Sequence, residues 1–196
     1  MNQTKNTLAV SVVCLFLFLN FSCSQDPFKA EISVNKSPND DRQYELLILP
    51  NKLKVLLVSD PEAEKSAASL SVSRGSLHDP DDRPGLAHFF EHMLFIGTEK
   101  YPEVDSFQNY ISANGGGSNA YTAGDHTNYF FDIKNSAFKE GLDRFANFFI
   151  APLLSDEYVE REKNAVHSEY QMQRKEDNWR QFMVSKRAMN SAYTGS

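Results

Sequence analysis

Two histidines, His88 and His92, stand four residues apart with a glutamate, Glu91, immediately before the second. In an α-helix each residue advances the chain by about 100°, so residues four apart lie about 40° from one another on one face. Both imidazoles can therefore reach a single ion, with Glu91, three residues after His88, projecting beside them. The setting is apolar: Leu86–Gly97 reads L-A-H-F-F-E-H-M-L-F-I-G. Leu86, Phe89, Phe90, Leu94, Phe95 and Ile96 are expected to bury most of the remaining helix surface, and Gly97 to end the helix in a left-handed conformation. Ionisable groups on so apolar a helix need a compensating role, and metal ligation supplies one.

The order of the three residues sharpens this. His-x-x-Glu-His inverts the zincin motif His-Glu-x-x-His and is the inverzincin signature. Two neutral imidazoles and a third protein ligand leave one position on a tetrahedral zinc ion for water. The ion lowers the pKa of that water towards about 7, and a neighbouring carboxylate can take its proton during attack on a peptide carbonyl. The plainer alternative is a pair of helix histidines with local hydrogen bonds, which explains one such residue better than this constellation.

With 196 residues, 41% of them apolar, the chain can form one domain with a substantial core. A formal charge of −6 and the absence of a basic patch argue against a nucleic-acid partner. Residues 1–24 join a polar start carrying Lys5 to an apolar run, Leu8–Leu19, and then to Ser22 and Ser24, the pattern of a secretory signal peptide cleaved near Ser24–Gln25. That run is short for a membrane span. The expectation is export, to a periplasm or outside the cell, with a lipoprotein anchored through Cys23 as the alternative. Cys14 and Cys23 both fall in this segment, so a mature chain has no disulfide and its metal ligands are histidine or carboxylate.

Residues 25–41 read as a polar leader. Tyr44–Leu49 and Leu53–Ser59 are β-prone runs joined by Pro50-Asn51-Lys52, a hairpin pattern. Ala68, Leu70 and Val72 alternate with serines, as in a strand with one buried face. A loop, Gly75–Pro84, leads to the histidine helix with Pro84 near its start. A short helix near Val104–Ala113 follows, then the backbone-permissive Asn114–Gly117 and strands Ser118–Thr122 and Thr127–Ile133, the latter with Tyr129, Phe131 and Ile133 on one face. Phe138, Leu142, Phe145 and Phe149 recur at helical spacing as a core stripe. One long helix is expected from about Asp156 to Met189, with Ser155 as N-cap. On it Glu162 and Glu169, seven residues apart, lie about 20° from one another around the axis. Spacing alone leaves several downstream acids open as the third ligand.

Four segments, in order and in spacing, resemble the M16 peptidases, the pitrilysin and insulin-degrading enzyme family. They are Gly85–Pro102 (G-L-A-H-F-F-E-H-M-L-F-I-G-T-E-K-Y-P), Ser118–Asn128 (S-N-A-Y-T-A-G-D-H-T-N), Gly141–Phe149 (G-L-D-R-F-A-N-F-F) and Arg161–Glu169 (R-E-K-N-A-V-H-S-E). The resemblance covers roughly residues 42–190. It implies that the third ligand lies 77 positions after the second histidine, at Glu169, so that His88, His92 and Glu169 bind one zinc ion. It implies Glu91 as the base and Glu162 as a supporting catalytic carboxylate. Asn119, Ala120 and Tyr121 match an edge strand that pairs with an extended peptide substrate. Gly115-Gly116-Gly117 is richer in glycine than the family pattern and is expected to loosen the approach to that strand.

The resemblance also implies the architecture. The fold is expected to be α+β, a largely antiparallel sheet packed against helices in an M16-like α/β roll. Complete family members have four homologous domains in two halves that enclose the substrate. Residues 42–196 are expected to form the incomplete N-terminal part of the first, with the other domains missing. The expected function is zinc-dependent hydrolysis of peptides or small unfolded proteins. The alternatives are a non-catalytic family member, a truncated fragment that binds zinc or peptide only, and an exported zinc-buffering domain.

Overall fold

The hairpin expected around Pro50-Asn51-Lys52 is formed, and it sits in the first of two units, Met1–Pro61 and Glu62–Ser196. The computed structural model describes residues 28–30 and 34–188. The signal-peptide segment, Cys23 and the start of the polar leader lie outside them. In the first unit β1 (Phe28–Ala30), β2 (Gln43–Ile48) and β3 (Lys54–Ser59) make an antiparallel sheet in that order. Lys52 turns the hairpin with a positive φ of 69°, and Asn51 Oδ1 accepts the Leu53 N–H at 3.1 Å. β1 was not foreseen.

The second unit runs β4 (Lys65–Val72), α1 (Leu86–Leu94), α2 (Ser106–Ala113), β5 (Gly117–Thr122), β6 (Thr127–Lys134), α3 (Phe138–Ile150), α4 (Asp156–Gln173) and α5 (Asp177–Ala188). Its sheet has the order β4-β6-β5, antiparallel throughout. Central β6 carries the core on alternate residues, Tyr129, Phe131 and Ile133, all at most 2% exposed. The flanking strands place small or slim residues beside these rings: Phe131 lies between Ala68 and Ser118, and Tyr129 between Leu70 and Ala120. Phe107 of α2 and Phe145 and Phe148 of α3 close over that face, with ring centroids 5.0–6.2 Å apart.

Three local expectations are corrected. Leu142 is 40% exposed, and the core stripe of α3 runs through Gly141, Phe145 and Phe148. A Cβ at Gly141 would lie 3.2 Å from the Phe131 ring, so the helix meets the sheet at its glycine and turns Leu142 outward. The single long helix is two: α4 stops at Gln173, and the Glu176 carbonyl accepts the Arg180 N–H at 3.0 Å to begin α5. The run Arg174-Lys175-Glu176-Asp177 offers no apolar side chain to hold one continuous helix against a core, and Asp177 suits the positive N-terminal end of a new one. Finally, Gly97 is not left-handed: α1 ends at Leu94, and Gly97 instead allows close passage of the Pro102 carbonyl, 3.1 Å from where a Cβ would stand.

Candidate metal centre

Helix α1 starts from Gly85, whose φ of 92° is left-handed, just after Pro84. Its free N–H groups are capped from a distance: Asp79 Oδ2 accepts from Gly85 N at 2.7 Å and Oδ1 from Ala87 N at 2.8 Å. The helix buries Met93 and Leu94, Leu94 joining the aromatic core, and Glu91 is only 7% exposed. Leu86 and Phe90, expected inside, are 41% and 45% exposed.

Helix α4 comes alongside α1. Ser155 occupies its N-cap position in an extended conformation, but its side chain makes no capping bond. Of the residues of α4 only Glu162 is buried. Its Oε2 lies 3.2 Å from His92 Nδ1, and its Oε1 accepts from Arg161 Nε at 2.8 Å. A carboxylate only accepts, so this contact places the proton of a neutral His92 on Nδ1 and frees the Nε2 lone pair. That Nε2 faces Glu169 Oε1 at 3.7 Å, and His88 Nε2 lies 3.4 Å from Glu169 Oε2. The imidazoles of His88 and His92 meet edge to face, centroids 4.9 Å apart.

His88, His92 and Glu169 thus offer three ligand atoms that lie within 4.8 Å of one another. Zinc ligands at about 2.0–2.1 Å in a tetrahedron stand roughly 3.3 Å apart, so the histidine–glutamate separations already approximate its edges. Two imidazole nitrogens and one carboxylate oxygen are a zinc-type donor set, and the group fits the ion.

Glu91 reaches β5, where Thr122 Oγ1 donates to its Oε2 at 2.6 Å. Thr122 ends β5, an edge strand that among the described residues pairs only with β6. Along β5, Ser118, Ala120 and Thr122 are half-buried, while Asn119 and Tyr121 are exposed. The Ala120 N–H is taken by the neighbouring Asn119 carboxamide at 2.9 Å, which identifies it as a group of the open edge. Tyr121 packs on His126, whose other ring nitrogen meets Asp125; that contact holds the Asp125 carboxyl below its ordinary value. Burial, and then the charge of Glu91, push the Tyr129 phenol far above its ordinary value, so this core residue stays protonated.

The structure therefore brings His88, His92, Glu162 and Glu169 into contact, with Glu91 on the same helix and Asn119–Tyr121 on the adjoining strand. Sequence reasoning missed Thr122, Asp79 and Arg161 as parts of this assembly. Thr122 was signalled by parity, since it shares the inward side of β5 with Ala120. Asp79 was visible only as one of three loop aspartates.

The chain has recognisable relatives. The chain is 46% identical over 180 residues to the insulin-degrading enzyme of Mus musculus, which covers 91% of this chain and 18% of that protein. It is 52% identical over 151 residues to insulin-degrading enzyme-like 2 of Arabidopsis thaliana, covering 77% of this chain and 16% of that one. The crystal structure of pitrilysin matches it with a TM-score of 0.82 at 42% identity, over 86% of this chain and 18% of the other. The chain thus spans less than a fifth of the length of these relatives. The model of insulinase (peptidase family M16) matches residues 54–196, which include every residue of the centre described above, and the chain belongs to that family.

Proposed function

We propose that this chain is the catalytic N-terminal part of a zinc endopeptidase that hydrolyses peptides or small unfolded proteins. The observation that carries the reading is the convergence, within 4.8 Å, of Glu169 of α4 with His88 and His92 of α1, the helix that also carries buried Glu91. In this reading His88, His92 and Glu169 hold the ion. When bound, zinc supplies a Lewis acid that polarises a carbonyl and acidifies water. Glu91, its Oε2 occupied by Thr122, takes the proton of the attacking water at Oε1 and returns it to the leaving amine. Glu162 holds His92 through Nδ1 and so aims Nε2 at the ligand position. An extended peptide adds to the open edge of β5 at Asn119–Tyr121, its carbonyl replacing the Asn119 side chain on the Ala120 N–H. The acidic charge of −6 supports a peptide rather than a nucleic-acid partner. The apolar run Leu8–Leu19 supports export, to a periplasm or beyond the cell, with anchoring through Cys23 as the variant.

The test is zinc stoichiometry together with cleavage of a quenched fluorescent peptide, with a chelator control. One zinc per chain and chelator-sensitive cleavage are expected. Glu91→Gln should keep the zinc and lose turnover, whereas His88→Ala or Glu169→Ala should lose the zinc. Near-normal turnover in Glu91→Gln removes Glu91 as the base, and unchanged zinc in the other two refutes the ligand set. A second, narrower reading, zinc or peptide binding without turnover, rests on the metal-type group alone. Zinc with no cleavage selects it.

A further inference from the structure

We infer that Thr122 is a positioning residue for proton transfer, locking the Glu91 carboxylate to the strand on which the peptide would lie. This rests on the assignment of Glu91 as base and β5 as substrate strand.

Thr127, opposite Thr122 in the β5–β6 register and 4% exposed, has one hydroxyl proton, and it goes to the Arg74 carbonyl at 2.9 Å. Towards Thr122, 3.4 Å away, Thr127 can then only accept. The single proton of Thr122 has two acceptors in reach, Thr127 Oγ1 at 3.4 Å and Glu91 Oε2 at 2.6 Å. The shorter, charge-assisted bond to the carboxylate takes it. Glu91 Oε2 is committed, the carboxylate plane is fixed by a β-branched residue of few rotamers, and Oε1 is left as the oxygen that handles the substrate-side proton.

The position of Thr122 in the strand gives this bond a second consequence. It directly follows Asn119–Tyr121, so the base and the peptide-pairing groups are referenced to one rigid element. A peptide that pairs in register with β5 is thereby placed in register with Oε1. Orientation of this kind is lost steeply when a catalytic group drifts by about 1 Å.

The experiment compares Thr122→Val, which keeps shape and β-propensity but lacks the hydroxyl, with Thr122→Ser, which keeps the hydroxyl, in the zinc-loaded full chain. Thr122→Val should lower kcat by about 10- to 100-fold, with KM changed less than about twofold and one zinc per chain retained. Thr122→Ser should recover most of kcat. A slowly exchanging Thr122 hydroxyl proton should be seen by NMR in the wild type and be lost in Glu91→Ala, a readout independent of turnover. Wild-type kcat in Thr122→Val, equal losses in both Thr122 variants, or no protected hydroxyl in an active wild type would each overturn the proposal. A wild-type chain that binds zinc but cleaves nothing would instead overturn the assignment of Glu91 as base, and the role of Thr122 with it.

Discussion

Replacing Gly116 with alanine should damage this protein far more than replacing either neighbouring glycine. A Cβ at Gly116 would stand 2.0 Å from the Asp132 carbonyl oxygen, 2.9 Å from its carbon and 3.0 Å from Ile111 Cγ2. To restore even a tight contact near 3.4 Å, β5 and β6 must part by about 1.4 Å. The obstacle is backbone in the central strand of the sheet, held on its other side by β4, so it cannot yield as a flexible side chain would. Overpacking of this kind costs about 1–3 kcal/mol, and the immobile partner puts Gly116→Ala near the top of that range. At about 3 kcal/mol the melting temperature should fall by roughly 6–12 °C. Gly117→Ala is the control, because its Cβ would meet only Asp132 Oδ2 at 3.8 Å, and it should shift stability by less than about 0.5 kcal/mol. Gly115→Ala should fall between, at about 1 kcal/mol, because Gly115 has a φ of 70°. The assay is thermal unfolding followed by circular dichroism at fixed zinc concentration. If Gly116→Ala melts with Gly117→Ala, the close approach is not the constraint described here.

Other outcomes are expected. Glu162→Gln should weaken zinc binding by about 10- to 100-fold, because it removes the carboxylate that fixes His92; a competition titration with a chromophoric chelator reads this, and unchanged affinity refutes it. Asp79→Ala should cost about 1–2 kcal/mol, since Asp79 caps two N–H groups at the start of α1, with less lost in Asp79→Asn; urea unfolding would contradict it if the two variants were equal. The Asp143 carboxyl is held below its ordinary value by hydrogen bonds from Lys100, at 2.6 Å, and from Tyr101. A carboxyl with a lowered folded pKa stabilises fully above its unfolded value near about 4, and the contribution disappears as pH falls through the folded value. The stability gap between wild type and Asp143→Asn should therefore close in acid, and a gap that widens there refutes the pairing.

What could be read from the chain beforehand follows from the range of the interaction involved. Alternation along 127–133 announced the core strand because each side chain of β6 feels one face or the other, a rule local to the strand. The spacing of His88, Glu91 and His92 is equally local. By contrast, whether Leu142 or Phe148 faces inward depends on how closely α3 approaches the sheet, which Gly141 and Phe131 decide together across the core. The break at Arg174–Glu176 was invisible to helix propensity, since each residue there tolerates a helix. Glu169 was singled out only by family resemblance, because helical spacing treats several acids of that segment alike. The run Gly115–Gly117, expected to loosen the way to the edge strand, ends α2 in a Schellman arrangement. Gly116 N donates to the Ile111 carbonyl at 2.9 Å and Gly115 N to that of Ser112 at 3.1 Å. These glycines tighten the junction rather than relax it.

A helix usually holds its place with an apolar stripe, but the residue α4 buries is the carboxylate Glu162, and beyond it the helix reaches α1 through Glu169. Its half-buried apolar residues, Tyr158, Val159, Ala165 and Val166, are joined by these polar contacts to the two histidines, and an ion shared by His88, His92 and Glu169 would act as a clasp across a chain segment of more than 70 residues. Closing so long a segment with one removable fastener makes metal occupancy and helix docking a single equilibrium. Stripping the ion should then loosen α4 while leaving the β4-β6-β5 sheet and its aromatic core intact.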